Sequence, residues 1–158
     1  MLKINRKIEY GLIALKFMHS KKPGELTTVK DLSDAFKMPF DPLARVMQQL
    51  ANHDILRSEK GIHGGYSILK DLKKISLLDL IQTLLGSLEF AKCFHDDEAE
   101  NNPCELTSQC NIISPLLYLN EKLIDFFKNL TVDEVLNFQA HRQERKIKEM
   151  FRDQQYLS

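Results

Sequence analysis

The first quarter of the chain places apolar residues at the spacing of an α-helix. Ile8, Leu12 and Leu15 recur at intervals of three and four, and they predict a helix over residues 4–20. The stretch KKPGEL contains proline and glycine and ends this helix.

Two shorter helical patterns follow. In TTVKDLSDAFKM, Thr28 has the position of an N-cap. In PFDPLARVMQQL, Asp41 followed by Pro42 predicts an N-cap and a first-turn residue. The apolar positions of the two helices are Val29, Leu32, Ala35 and Phe36, and then Leu43, Val46, Met47 and Leu50. Because only the four residues MPFD separate the two patterns, the pair predicts a helix-turn-helix.

The periodicity then changes from helical to alternating. Residues 55–59 and 66–68 alternate around the glycine-rich sequence GIHGG, which predicts two short strands joined by a turn. A hairpin directly after a helix-turn-helix is typical of a wing.

The second half returns to helical periodicity. SLLDLIQTLLG predicts a helix that ends near Gly86, and the polar, acidic residues 91–111 predict a loop. Residues 112–130 predict a strongly amphipathic helix whose apolar face is wide for a small domain. Thr131 and Glu134 then have the spacing of a capping box.

These patterns predict a mainly α fold with a small β wing. We expect three parts: a winged helix-turn-helix over residues 1–90, a cysteine-bearing loop over 91–111, and a dimerisation helix with a C-terminal helix or tail over 112–158.

The zero net charge of the 158 residues hides an asymmetry. Residues 1–75 carry 14 Lys and Arg against 8 Asp and Glu, and residues 76–158 carry 8 against 14. A basic first half favours a polyanionic partner. We read no signal peptide and no stretch able to span a bilayer, so we expect a cytoplasmic protein whose thiols stay reduced.

Residues of suitable chemistry for DNA lie on the second helix of the pair and on the wing. Arg pairs with guanine, and Gln or Asn with adenine, through two hydrogen bonds in the major groove. The N-terminus of the preceding helix, with Thr27 or Thr28, could hold a phosphate. The predicted contacts are Thr28, Asp41, Arg45, Gln48, Gln49, Arg57, Lys60, His63, Gly64 and Gly65, with Asn52 on the same outer face.

Three quoted stretches carry a resemblance to a known family. KIEYGLIALKFM, the wing KGIHGGYSI and the cysteines that follow SLEFAKC are similar to those of the IscR/NsrR (Rrf-two) family of bacterial winged-helix transcriptional regulators. The resemblance covers about residues 1–135. It implies a homodimer that binds double-stranded promoter DNA, and many members of the family hold an iron–sulfur cluster.

All three cysteines of the chain lie between residues 93 and 110. Thiolates are soft ligands that select zinc, copper(I) or iron–sulfur clusters. Cys93, Cys104 and Cys110 form no CxxC pair, so zinc is less favoured. A thiol–disulfide switch through Cys104 and Cys110 remains an alternative.

The resemblance implies an iron–sulfur cluster at these cysteines, with a [2Fe–2S] form favoured and a [4Fe–4S] form possible. The chain departs from IscR-type members, which have shorter gaps and a histidine three residues after the last cysteine, where this chain has Ile113. For the fourth ligand the resemblance favours Glu9, because NsrR-like members carry at the matching position an acidic residue that reaches across the dimer to the partner's cluster. His95 in the loop is the alternative.

We therefore expect a transcriptional regulator whose DNA binding depends on a cluster that senses redox state, nitric oxide or iron–sulfur status. The alternatives are a cluster-free thiol switch of the same fold and a module that binds protein. No P-loop, dinucleotide fingerprint or catalytic triad pattern occurs, so an enzyme is the weakest class.

Overall fold

The computed structural model describes residues 4–86, 88, 109–139 and 142. In chain order the elements are α1 (Arg6–His19), α2 (Val29–Phe36), α3 (Phe40–Asn52), β1 (Leu56–Glu59), β2 (Gly65–Ile68), a 3-10 turn (Leu72–Lys74), α4 (Leu77–Leu85), α5 (Ile113–Asn129) and α6 (Val132–Leu136). The predicted mainly α fold with a small β wing is confirmed.

The hydrophobic core lies between α1, α3 and α4, with α2 packed on α3. Leu15, Leu43, Met47, Leu50 and Leu80 are fully buried there. Each comes from an apolar stripe with helical spacing, so burial of the stripes explains why these helices pack together. The α2–α3 pair forms the predicted helix-turn-helix.

The predicted apolar face of α2 is only partly buried. Leu32 is completely buried, whereas Ala35 is exposed and Phe36 is 44% exposed. The Phe36 ring instead meets the ring of Phe17 edge-on, with centroids 5.6 Å apart. A helix of eight residues at the surface needs only a narrow buried stripe, so part of its apolar face stays in solvent.

The two strands form an antiparallel hairpin in which Leu56 pairs with Ile68 and Glu59 with Gly65. Thr27 extends this sheet by one residue, because its N–H and C=O both bond to Tyr66, at 2.8 and 2.9 Å. The hairpin is thereby fixed to the segment that begins the helix-turn-helix.

The start of α3 differs from the prediction. Its N-cap is Pro39 and its first residue is Phe40, with no side-chain cap, so the assignment of Asp41 as N-cap is wrong. Asp41 lies inside the first turn, where a carboxylate is favoured by the helix dipole without capping a backbone N–H. The predicted caps at Thr28 and Thr131 are present as complete capping boxes.

The C-terminal helices attach to the winged domain through the backbone. Leu77 N–H donates to Leu130 C=O at 2.7 Å, and Val132 N–H donates to Ile75 C=O at 2.9 Å. α5 packs on α4, yet it buries no residue completely. Its exposed apolar residues are Leu117, Tyr118, Leu119 and Phe126. No helix among the described residues is long and apolar enough to cross a membrane.

Candidate nucleic-acid interface and cluster segment

The exposed face of α3 carries a single stripe of polar side chains. Asp41, Arg45, Gln48 and Asn52 are all exposed and follow one another at helical spacing, while the opposite face supplies the core. Within the described residues the Arg45 side chain makes no hydrogen bond or ion pair, so its guanidinium is available to a ligand. The composition and exposure of this stripe suit readout of base edges in a major groove.

Gln49 differs from its neighbours on α3. It is half-buried, and its Oε1 is covered by protein without a hydrogen-bond partner among the described residues. Paired readout of adenine needs both the oxygen and the nitrogen of the amide. Gln49 therefore needs a change of side-chain rotamer before it can read a base in this way, whereas Gln48 needs none.

The N-terminus of α2 is already occupied by a carboxylate of the chain. Thr28 accepts a hydrogen bond from Asp31 N–H at 3.0 Å, and Asp31 accepts one from Thr28 N–H at 2.9 Å. The backbone hydrogen bond from Thr28, followed by the hydrogen bond with its hydroxyl, lowers the pKa of Asp31 from its ordinary 3.8. Thr27 is completely buried, so of the two threonines only Thr28 reaches the surface.

The wing presents basic side chains, as its sequence predicts. Arg57, Lys60 and His63 are all exposed, and none forms an ion pair with a described residue. Gly64 and Gly65 are required by the packing of the protein's own backbone. A Cβ on Gly64 would collide with the Glu59 carbonyl oxygen, and one on Gly65 would lie 3.0 Å from the carbonyl oxygen of Thr27. The contact of these glycines with DNA stays a prediction.

Ile62, at the tip of the wing, is a residue that sequence analysis passed over. Its side chain is 99% exposed. A single isoleucine between glycine and histidine gives no periodic signal, so the pattern of apolar residues could not draw attention to it. The usable signal was its position in the centre of the turn.

Of the proposed cluster ligands, the structure describes Glu9 and Cys110, whereas Cys93, Cys104 and the alternative ligand His95 lie outside the described residues. Cys110 is a free, half-buried thiol just before α5. Glu9 lies on α1, and its carboxylate pairs with Arg6 at 2.8 Å.

The chemistry of the two described ligands fits an iron–sulfur cluster. The free thiol of Cys110 is a soft ligand that suits iron. The Glu9 carboxylate is 37% exposed, and its ion pair with the exposed Arg6 is weak enough to be replaced by a bond to a metal ion. Among the described residues alone, no group of three metal-ligating side chains occurs. The assignment of Cys93 and Cys104 as ligands stays a prediction.

Comparison with known proteins places this architecture in a family. The sequence model of the Rrf2 family, described as an iron-dependent transcriptional regulator, matches residues 4–137. The chain belongs to the Rrf2 family. This match spans the winged domain, the cysteine segment and α5, and it confirms the resemblance seen in the sequence.

Individual Rrf2 relatives agree with this assignment. The regulator NsrR of Bacillus licheniformis is 23% identical over 89% of this chain and 96% of its own length. The structure is similar to that of CymR, the global cysteine regulator of B. subtilis, with a TM-score of 0.63, 21% identity and coverage of 87% of this chain and 98% of that one. It is also similar to IscR of T. potens, with a TM-score of 0.62, 19% identity and coverage of 90% and 91%.

Membership of the Rrf2 family establishes the general role of the chain. It is a transcriptional regulator that binds DNA through a winged helix, and the prediction of a non-enzymatic role is confirmed.

Proposed function

We propose that this Rrf2 regulator is a cytoplasmic homodimer whose binding to a specific promoter sequence is controlled by an iron–sulfur cluster. The observation that carries the DNA-binding part is the exposed stripe of Asp41, Arg45, Gln48 and Asn52 on α3. In this proposal α3 lies in the major groove, and Arg57, Lys60 and His63 of the wing contact the backbone or minor groove.

The proposed dimer forms through α5. Leu117, Leu119 and Phe126 are between 46% and 58% exposed on this helix, and burial against a second copy would remove their apolar surface from water. A symmetric pair of winged domains presents two α3 helices, so the protein would read two half-sites of a pseudo-palindrome.

The proposed ligands of the cluster are Cys93, Cys104 and Cys110, together with Glu9 of the partner subunit. A bound cluster supplies iron and sulfide that react with oxidants or nitric oxide. The Cys110 thiolate would hold it two residues before the N-cap of α5, Ile112. A change at this ligand then reaches the dimer helix directly and alters the separation of the two α3 helices. The Glu9 carboxylate, a hard ligand beside three soft ones, would be the most easily displaced.

The decisive experiment on the cluster is anaerobic purification, followed by a visible absorption spectrum and assays of iron and acid-labile sulfide. We expect a coloured protein with matched iron and sulfide, and we expect Cys104→Ala to abolish both while the dimer persists. A protein that stays colourless after anaerobic reconstitution would remove the cluster from the proposal.

The fourth ligand is tested by comparing Glu9→Ala with His95→Ala. We expect only Glu9→Ala to shift the spectrum and to accelerate cluster loss in air. Glu25→Ala is the matched control, because Glu25 is also an exposed glutamate paired with a basic side chain, Lys21, at 3.4 Å. If His95→Ala has the stronger effect, the ligand is His95.

A second function with some support is a cluster-free thiol switch. The fold is shared with a protein named as a global cysteine regulator, and Cys110 is a free thiol. In that case the purified protein contains no iron, and peroxide lowers the number of titratable thiols by two as Cys104 and Cys110 form a disulfide. Reduction of the disulfide would restore both thiols and the original DNA affinity.

A further inference from the structure

The tip of the wing carries an apolar side chain that no described part of the chain covers. Ile62 is 99% exposed, more than any other large apolar residue in the described part of the chain. The next highest values are 64% for Ile4 and 62% for Tyr118. Ile62 therefore contributes nothing to the hydrophobic core, and its side chain is free to contact a partner molecule.

The turn that presents Ile62 is held in one shape. Ile62 and His63 are the central residues of a β-turn closed by a hydrogen bond from Gly64 N–H to Gly61 C=O at 3.0 Å. Gly64 leaves no room for a Cβ against the Glu59 carbonyl, so the backbone is tightly packed on itself. The antiparallel pairing continues from this turn to Leu56 and Ile68 at the base. The isoleucine is thus presented by an ordered hairpin.

The charges around Ile62 favour DNA as its partner. Lys60 and His63 flank it and are exposed, and Arg57 lies on the same hairpin, whereas Glu59 is the only acidic residue between residues 56 and 68. An apolar side chain close to exposed basic ones suits the minor groove, which is bordered by phosphates and where proteins insert aliphatic wedges between stacked base pairs.

We infer that Ile62 enters the minor groove and inserts between neighbouring bases, which unstacks one base step and bends the duplex. This inference rests on the proposed binding of DNA by α3 and the wing, and it adds a mode of indirect readout. A site with an easily unstacked pyrimidine–purine step beneath the wing would be favoured, although no side chain pairs with those bases.

The test uses the full-length protein and a duplex selected from random DNA for binding by the wild type. Dyes at the two ends report bending, and a fluorescent adenine analogue beneath the wing brightens when it unstacks. We expect Ile62→Ala to bind about tenfold more weakly, as expected when burial of an isoleucine side chain is lost. The bend and the fluorescence increase should both disappear with it.

Two variants separate insertion from other effects. Ile62→Leu keeps an aliphatic wedge and should restore most of the bend, while Ile4→Ala removes another exposed isoleucine and should change nothing. Because Ile62 is 99% exposed, Ile62→Ala should unfold at the same denaturant concentration as the wild type. If Ile62→Ala bends and unstacks the duplex as the wild type does, the inference is wrong, even where its affinity falls. A wild type that fails to bind any duplex in a salt-dependent manner would instead refute the proposed function itself.

Discussion

Gly11 determines how closely α1 approaches α4. We predict that Gly11→Ala lowers the free energy of unfolding of the wild type but raises that of a variant in which Leu84 is shortened. Gly11 is buried on α1, and a Cβ at this position would lie 2.9 Å from Leu84 Cδ1. The same Cβ would lie 3.9 Å from Leu80 Cδ1 and from Val46 Cγ1, which is ordinary van der Waals contact. Leu84 is therefore the one neighbour that has to move.

Two opposing contributions decide the effect of Gly11→Ala. Alanine in place of glycine inside a helix stabilises by about 1 kcal/mol. Displacing a buried side chain costs about 1–3 kcal/mol, and Leu84 is only 1% exposed, with little space to yield. We expect a net loss of about 1 kcal/mol in the free energy of unfolding.

Gly11→Ala should stabilise the protein instead of destabilising it once the Leu84 side chain is shortened. Leu84→Ala alone costs about 2–5 kcal/mol because it removes buried carbon atoms and leaves a cavity. In that background Gly11→Ala keeps its helix propensity, meets no Leu84 methyl group and fills part of the cavity. We then expect it to stabilise by about 1 kcal/mol.

The assay is urea unfolding followed by far-ultraviolet circular dichroism, on reduced, metal-free protein at one fixed concentration. The control is Leu80→Ala, which removes the neighbour at 3.9 Å and should leave Gly11→Ala destabilising. If Gly11→Ala has the same effect with and without Leu84→Ala, the two residues do not interact and the 2.9 Å contact is relieved freely.

Three further predictions concern the DNA interface, acid stability and α5. Arg45→Ala should weaken specific binding by about 1–3 kcal/mol without changing stability, as measured by fluorescence anisotropy with the selected duplex; a smaller effect of Gln49→Ala is expected, and an unchanged affinity for Arg45→Ala would remove it from base readout. Asp31→Asn should lower stability near neutral pH, and the difference from the wild type should vanish in acid. The pKa of Asp31 is lowered in the folded protein, so its stabilisation is fully present above the ordinary value of 3.8 and is lost as the pH falls through the lower, folded-state pKa. Urea midpoints across acidic pH check this, and a difference that persists in strong acid would contradict it. Asn120→Leu should raise the free energy of unfolding by about 1 kcal/mol, since Asn120 Oδ1 is covered without a hydrogen-bond partner among the described residues; a loss of stability would mean that the folded protein supplies a partner.

Local chemistry made most of the fold predictable. Thr28 and Thr131 cap their helices because a hydroxyl and a carboxylate three residues apart satisfy backbone N–H groups without help from distant residues. The wing was predictable for a similar reason, since alternation around GIHGG depends only on neighbouring positions.

The predictions failed where tertiary packing, and not the local sequence, determined the outcome. Asp41-Pro42 is a favourable helix start, yet α3 begins at Phe40, because the helix continues to the turn that joins it to α2. Phe36 has the spacing of a core residue, but it meets only the edge of Phe17 and stays 44% exposed. Neither outcome follows from the residues nearby.

Residue type and short spacing are enough to predict the order of the elements, the basic first half, the three clustered cysteines and the face of α3 that stays polar. How those residues are exposed depends on the tertiary structure. It covers the oxygen of Gln49, buries Thr27 where it pairs with Tyr66 of the wing, and leaves Ile62 in solvent. The exposure of a residue depends on which distant elements pack against it, and the local sequence pattern does not predict those tertiary contacts.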